Sequence, residues 1–250
     1  MFAALTCAAT LAFQIGIPAT NGYFNVGEIM VYVSALLLGP GLGAVAGGIG
    51  SSLSDALSGF ATTYAPGTLI IKGLEALIVS YVALHKPTNL TPRMFRGIAS
   101  LSASLIGFFL VALGSIYYSG AQQVTFFTQG LNVTFPGFSF TTASPTYFQT
   151  TISYGVLVWI ALGIAAALFL LFVTLRLGPS NGWPAIAILI GGTEMVCGYL
   201  LYEALVLQYG AAAIVEVPAN IGQMVIGLII GLPLARRLKT AVPWLNRSTA

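Results

Sequence analysis

Two short polar patterns interrupt stretches of the chain that are otherwise apolar. The spacing i, i+4, i+7 is shared by Thr68, Lys72 and Glu75 in one stretch and by Glu216, Asn220 and Gln223 in another. In an α-helix this spacing places three side chains on one face. Polar groups inside a membrane usually face a cavity or a partner. The two patterns therefore predict two walls of one ligand site.

A third apolar stretch, residues 184–206, carries Glu194, Tyr199 and Glu203. At about 100° per residue Glu194 and Glu203 point to roughly opposite helix faces, so we expect only Glu203 at the site. Glu194 is either a protonated packing residue or a partner for Lys72. Lys72 itself either contacts a ligand or forms a buried ion pair with Glu75, and both alternatives stay open at this point.

The composition sets the class of protein. The chain has 250 residues, of which 57% are hydrophobic and 6% are charged, whereas about 25% of residues in a soluble domain are charged. Such a chain cannot cover a globular surface with polar groups. We therefore expect an all-α polytopic membrane protein. The net charge of +3 does not indicate nucleic-acid binding, because the basic residues cluster in loops and at the C-terminal end.

Gly, Pro and polar loop residues divide the chain into eight predicted apolar spans. They are 1–17, 28–39, 42–58, 68–85, 97–118, 151–175, 184–206 and 217–235. The division of 28–58 rests on Gly39-Pro40-Gly41, which favours a reversal.

The basic residues orient these spans. Eight of the nine fall on one side of the predicted membrane, at 86–96, at Arg176 and at 236–247, and the ninth is Lys72. The positive-inside rule makes that side cytoplasmic. We therefore expect a multi-pass protein of the plasma membrane, with both termini in the cytoplasm and membrane lipid around it. The uncharged loop 119–150 would face outside, in strand-like or extended structure.

Catalytic and metal-binding patterns are missing from the sequence. It has no phosphate-binding loop of the form GxxxxGK[ST], and its single histidine, His85, makes a histidine-based metal site or triad improbable. We expect no enzyme activity, no catalytic residue, no metal and no cofactor. In the first span, Ala4, Ala8 and Ala12 form a row of small residues that would let another helix approach closely; ordinary internal packing is the alternative.

Several motifs together resemble one transporter family. They are the Gly-Pro turn at 39–40, "GGIGSSLSD" at 47–55, "APGTLIIKGLE" at 65–75, "MVCGY" at 195–199 and "EVPANIGQ" at 216–223. The chain resembles the substrate-binding S components of energy-coupling factor (ECF) transporters, vitamin and vitamin-precursor branch. The resemblance covers about residues 1–86 and 184–239, and it implies a six-helix S-component-like core. Residues 97–175 would then be an inserted helical pair with external loop 119–150, and residues 240–250 a cytoplasmic tail.

The resemblance also implies a function. S components capture a vitamin-like small molecule from outside and join a transmembrane scaffold subunit and two ATPase subunits that drive import. If the family's ligand-contact positions are transferred to this sequence, the contact residues would be Asn25, Lys72, Glu75, Tyr199, Glu203, Asn220 and Gln223. The row Ala4, Ala8 and Ala12 would dock the scaffold. The carboxylates, amides and tyrosine suit a polar aromatic heterocycle, and the branch suggests a thiamine-precursor pyrimidine, vitamin B6 or a riboflavin-like ligand.

Two other functions compete with this one. A stand-alone proton-coupled secondary transporter of a small polar solute would use Glu194 or Glu203 to carry the proton. An intramembrane enzyme is the third possibility, but no nucleophile–base pair supports it.

Overall fold

A computed structural model describes residues 1–17, 19–58, 61–128, 132–135, 138–141 and 146–241. The helices of this described part are α1 (Phe2–Ala12), α2 (Glu28–Leu38), α3 (Pro40–Leu57), α4 (Ala65–Leu84), α5 (Pro92–Tyr117), α6 (Val156–Leu201), α7 (Val217–Ile226) and α8 (Leu232–Ala241). The strands are β1 (Gln14–Ile17), β2 (Gly22–Asn25), β3 (Gly120–Thr128), β4 (Asn132–Phe135), β5 (Phe138–Thr141) and β6 (Thr146–Tyr154). Helix α6 is kinked at Gly178, whose φ is 65°.

Five helical stretches of the described residues are long and apolar enough to cross a membrane. They are Ala65–Leu84, Pro92–Tyr117, Val156–Arg176, Gly182–Val206 and Gly210–Ala241. The expected class, an all-α polytopic membrane protein, is confirmed. Helices α1 and α2 are apolar but have only 11 residues each, which is about 16 Å of helix. A typical bilayer core is about 30 Å thick. Helices α1 and α2 are therefore shorter than the bilayer core, whereas the five long stretches can cross it.

Three boundaries differ from the sequence-based prediction. The span 1–17 is wrong in its last five residues, because α1 ends at Ala12 and the next residues extend into β1, which pairs with β2. The span 151–175 begins later, at Val156, because the residues before it belong to strand β6. The span 97–118 begins earlier, at Pro92, where the Thr91 hydroxyl accepts a hydrogen bond from the Met94 amide.

The reversal predicted within 28–58 is confirmed. Gly39 separates α2 from α3 with φ 82° and ψ 177°, a backbone conformation that only glycine adopts without strain. Pro40 then occupies the first turn of α3, where its missing N–H costs no hydrogen bond.

The described residues of the loop 119–150 form strands, as its composition predicted. Strands β3 and β6 pair over their full lengths, and β3 also pairs with β1, so that the four-stranded antiparallel sheet has the order β2-β1-β3-β6. Strands β4 and β5 form a separate hairpin. The tail predicted at 240–250 lies almost entirely outside the described residues, since α8 ends at Ala241.

Helix α2 lies at the centre of the bundle. Val31, Tyr32 and Val33 have no exposed surface, although they point in different directions around the helix. Helix α3, by contrast, has an exposed apolar stripe that includes Leu42, Val45 and Ile49. An exposed stripe of this kind is expected where a helix contacts lipid tails.

Hydrogen bonds at the two ends of the bundle join segments that are not successive in the chain. At one end Tyr202 donates to the Thr63 carbonyl at 2.9 Å and Tyr118 to the Val215 carbonyl at 2.6 Å. At the other end the Trp183 indole donates to the Val82 carbonyl at 2.6 Å. The second end also carries the basic residues that follow α4 and begin α5, those near the α6 kink and those in α8.

Helix α5 packs along the first half of α6 through small residues. A Cβ atom at Gly107 would lie 2.8 Å from both the Ala167 side chain and the Gly163 carbonyl oxygen. This pair of helices is the segment that the sequence analysis assigned to an insert. The division into an S-component-like core and an insert stays a prediction.

Candidate functional site

A polar cavity lies at the end of the bundle opposite to the basic residues. It contains about 420 Å³ of space between its lining atoms, including the part open to solvent. The wall is built from the ends of several helices and from strand β2, so that residues far apart in the chain face one another. Thirteen of its fifteen lining residues have polar side chains, which is unusual for the interior of so apolar a chain.

Lys72 lies at the centre of one wall. It forms an ion pair with Glu28, which begins α2, and its Nζ lies 3.3 Å from Glu75 Oε2 on its own helix. The Nζ atom also lies 5.3 Å from the centre of the Tyr199 ring. Tyr32 donates a hydrogen bond of 2.8 Å to Glu75 Oε1. Lys72 is thus held by two carboxylates and one aromatic face.

A second group of polar contacts joins β2, α3, α4 and α6. Tyr23 donates a hydrogen bond to Asp55. The hydroxyls of Thr68 and Tyr199 are hydrogen-bonded at 3.0 Å. Burial raises the pKa of Tyr23 well above its usual value, and the Asp55 carboxylate raises it further. Tyr23 therefore stays neutral and remains a hydrogen-bond donor at physiological pH.

Glu216 occupies the opposite wall, just before α7. It accepts a hydrogen bond from Thr20, and the Tyr64 hydroxyl lies 3.3 Å from its Oε1 atom. Burial raises the pKa of Tyr64, and the nearby Glu216 carboxylate raises it further. The Glu203 carboxyl lies beside that of Glu216, and a Cβ atom at Gly22 would collide with the Glu216 carboxylate. Gly22 is thus required for this close approach.

Three amide side chains complete the wall. Gln223 donates a hydrogen bond of 2.9 Å to Asn220 Oδ1, one turn earlier on α7. Asn25 Oδ1 accepts a hydrogen bond of 2.8 Å from the Gly27 amide and so stabilises the turn between β2 and α2. All three residues are buried. Amide groups both donate and accept hydrogen bonds, so they can recognise the edge of a polar heterocycle.

The structure brings most of the predicted site residues to this cavity. The residues on the wall are Asn25, Lys72, Tyr199, Asn220 and Gln223. Glu75 and Glu203 are not on it: Glu75 lies behind Lys72 and Glu203 behind Glu216, and neither has exposed surface. Glu194 is not the partner that the sequence analysis considered for Lys72, because Glu28 and Glu75 make the ion pairs.

The wall also contains ten residues outside the seven proposed ligand contacts, and two of these, Thr68 and Glu216, belong to the polar patterns predicted as walls of the site. The ten residues are Thr10, Gly22, Tyr23, Gly27, Glu28, Ser51, Asp55, Tyr64, Thr68 and Glu216. Several of them had a signal, since Glu28, Asp55 and Glu216 are acidic residues at the predicted outer ends of apolar spans. Thr10 had no such signal, because threonines whose hydroxyls bond to the preceding helical turn are common in apolar helices.

The chemistry that this arrangement offers is recognition. It presents hydroxyls, amides and carboxylates to one cavity. Within the described residues, no group of three or more His, Cys, Asp or Glu side chains has the geometry to hold a metal ion. The two cysteines are free thiols, and His85 lies exposed at the other end of the molecule.

Fold and site together define a multi-pass helical membrane protein with a polar cavity at one end. The family model described as ECF-type riboflavin transporter, S component, matches residues 1–158, more than half of the chain. The chain belongs to this family of S components, which are substrate-binding subunits of transporters and not enzymes. The match includes α5 and the strands β3–β6, and therefore most of the segment interpreted as an insert.

One curated relative also shares sequence with the chain. A protein of Pyrococcus woesei, described as an uncharacterized protein in gap 3'region, is 46% identical over 72 residues. Those residues are 29% of this chain and 47% of the relative, so the chain spans about half the length of the curated protein that it matches. No solved structure matches the chain.

Proposed function

We propose that this chain captures a vitamin or vitamin precursor from the outer side of the plasma membrane for an ECF-type importer. Membership of the S-component family supports a substrate-binding role. The observation that carries the proposal is the buried polar cavity, in which three elements contribute the amides Asn25, Asn220 and Gln223 and the ring of Tyr199. A buried polar wall is costly unless a ligand or the protein satisfies it.

The proposed contact residues are those predicted from the sequence, in two roles. Asn25, Lys72, Tyr199, Asn220 and Gln223 would touch the substrate. Glu75 and Glu203 would act through their neighbours Lys72 and Glu216, since both are fully buried behind the wall. The family description supports riboflavin or a related heterocycle as the substrate.

The proposed partners are a transmembrane scaffold subunit and two ATPase subunits. Ala4, Ala8 and Ala12 are exposed on α1, whereas Thr6, Cys7 and Thr10 on its other face are buried. A flat, exposed row of small residues permits close approach of another helix. In the proposed orientation, the basic end of the bundle and both termini lie in the cytoplasm, where the ATPase subunits would bind.

A stand-alone proton-coupled transporter is the second candidate function. The observation that favours it is the pair Glu203 and Glu216, because two adjacent buried carboxyls can hold one proton between them. In that case the isolated chain would accumulate substrate without ATPase subunits.

Uptake of labelled riboflavin by cells distinguishes the two functions. We expect uptake only when the chain is co-produced with a scaffold and two ATPase subunits, and we expect it to stop when the ATPases carry an inactivating Walker-lysine substitution. Uptake by the chain alone that an uncoupler abolishes would support the second candidate. The matched control is the same host with the scaffold and ATPases but without this chain.

A further inference from the structure

Acidic and basic residues are separated along the bundle. The chain has six acidic residues, and five of them surround the cavity: Glu28, Asp55 and Glu216 on its wall and Glu75 and Glu203 directly behind it. Lys72 is the single basic residue of the described chain at this cavity. The cavity therefore has many more potential negative charges than positive ones.

The positive charge of Lys72 is already engaged. Its ammonium group forms ion pairs with Glu28 and Glu75, and the side chain is 4% exposed. Asp55 and Glu216 accept hydrogen bonds from the neutral hydroxyls of Tyr23 and Thr20. No lysine or arginine of the described part of the chain is left to neutralise a phosphate or a carboxylate in the cavity.

Glu203 is the least satisfied of these groups. It has no exposed surface, and neither of its carboxylate oxygens makes a well-formed hydrogen bond to the described residues. It lies in a π-helical turn, Tyr202–Val206, directly after α6; such turns are rare and often occur at functional sites. Its carboxyl lies beside that of Glu216, which lines the cavity. Two carboxylates this close require a proton or another positive group between them.

We propose that Glu216, supported by Glu203, is the counter-charge for a cationic or hydrogen-bond-donating group of the substrate, and that the cavity rejects molecules with a phosphate or a carboxylate. The inference rests on the proposed function and adds the chemical class of substrate to it. An anionic group would face Glu216, Asp55 and an already neutralised Lys72, and like charges that meet in a low-dielectric site repel strongly. An uncharged or cationic vitamin avoids this repulsion, whereas its phosphate ester does not.

The test uses the purified full-length protein and three matched pairs of probes. The pairs are riboflavin and riboflavin 5′-phosphate, thiamine and thiamine monophosphate, and pyridoxamine and pyridoxamine 5′-phosphate; each pair differs by one phosphate. Dissociation constants are measured by isothermal titration calorimetry. We expect at least one free vitamin to bind, and to bind on the order of 100-fold more tightly than its ester, because like-charge contacts weaken binding to this extent. Equal binding of an ester would overturn the inference.

Substitutions test whether the Glu203–Glu216 pair causes the preference for the free vitamin over its phosphate ester. Glu216→Gln keeps the size and the acceptor oxygen but removes the charge, and we expect it to reduce the preference for the free vitamin at least about tenfold. Glu203→Gln serves as a second variant if the first does not fold. Glu194→Gln is the matched control, since Glu194 is a partly buried acid of α6 that is not part of the cavity wall. An unchanged preference in both site variants would contradict the inference.

An inorganic cation is the other possible source of positive charge. The titrations are therefore repeated with choline chloride in place of sodium chloride, and we expect the same affinities. Loss of binding without Na⁺ would show that the Glu203–Glu216 pair binds the ion, and it would overturn the assignment of the pair to a substrate group. If none of the six probes binds, the proposed vitamin-binding function fails together with this inference; if a free vitamin binds without selectivity, only the inference fails.

Discussion

Lys72 of α4 and Glu28 of α2 form a buried ion pair between two helices at the wall of the cavity. Glu28 lies in the first turn of α2, and Glu75 contacts the same ammonium from one turn further along α4 at 3.3 Å. The lysine is therefore both a wall residue and the bridge that holds two carboxylates in place. Removing it should affect the whole molecule as well as the site.

Lys72→Met should destabilise the protein strongly. The substitution leaves Glu28 and Glu75 buried without their cation, and loss of one partner of a buried pair costs about 3–5 kcal/mol. Thermal unfolding of the detergent-solubilised protein measures the change. Adding Glu28→Gln to Lys72→Met should restore part of the loss. If the double variant is no more stable than Lys72→Met, the ion pair is not the source of the effect.

Asn220→Ala should weaken substrate binding with little effect on folding. The side chain lines the cavity, and within the described residues its hydrogen-bond partner is Gln223. Its removal therefore deletes a recognition group. We expect affinity for riboflavin, or for whichever probe binds, to fall by about tenfold or more, because an unmet polar contact costs about 1–3 kcal/mol. Thr193→Ala, a substitution of a polar residue at the exposed face of α6, is the control and should leave affinity unchanged.

Gly48→Ala should loosen the contact between α3 and α4. An added Cβ atom would lie 2.6 Å from the Leu69 carbonyl oxygen, and the backbone must move to accept it, at a cost of about 1–3 kcal/mol. Gly41→Ala on the same helix is the matched control, because its Cβ would meet nothing within 4 Å. That control should be neutral or stabilising by up to about 1 kcal/mol, as alanine favours helix. Equal thermal stability of both variants would refute the predicted close approach.

Ala8→Trp should prevent assembly with the scaffold and ATPase subunits while sparing substrate binding. The residue is exposed on α1, so a bulky ring fits there in the isolated chain but obstructs another helix. Co-purification with tagged scaffold measures assembly. Leu101→Trp, at a residue 63% exposed on α5, is the control and should assemble normally. An intact complex with Ala8→Trp would show that the docking surface lies elsewhere.

Much of the fold followed from patterns with a direct physical cause. The reversal at Gly39-Pro40 was predictable because this dipeptide favours a break in a helix, and the structure has it there. The end of α1 was not, because residues 13–17 are as apolar as the helix before them and leave it to pair with β2. Pairing between strands is a long-range property that apolar composition does not reveal.

The site was predictable where polar residues repeat along one helix face. Asn220 and Gln223 were found in this way, and both line the cavity. Glu75 satisfies the same spacing as Lys72 but lies behind it, because helix periodicity gives the face and not the depth of a side chain. The partnership of Glu28 with Lys72 depends on how α2 packs against α4, which no local pattern encodes.

The central claim is that the cavity holds a vitamin-class small molecule, and mass spectrometry of molecules that co-purify with the protein tests it most directly. The wild-type protein should carry one predominant compound that is an uncharged or cationic heterocycle. Asn220→Ala, purified in parallel, should carry much less of it. Recovery of the same compound from both proteins in equal amounts, or of no enriched compound from either, would contradict the account.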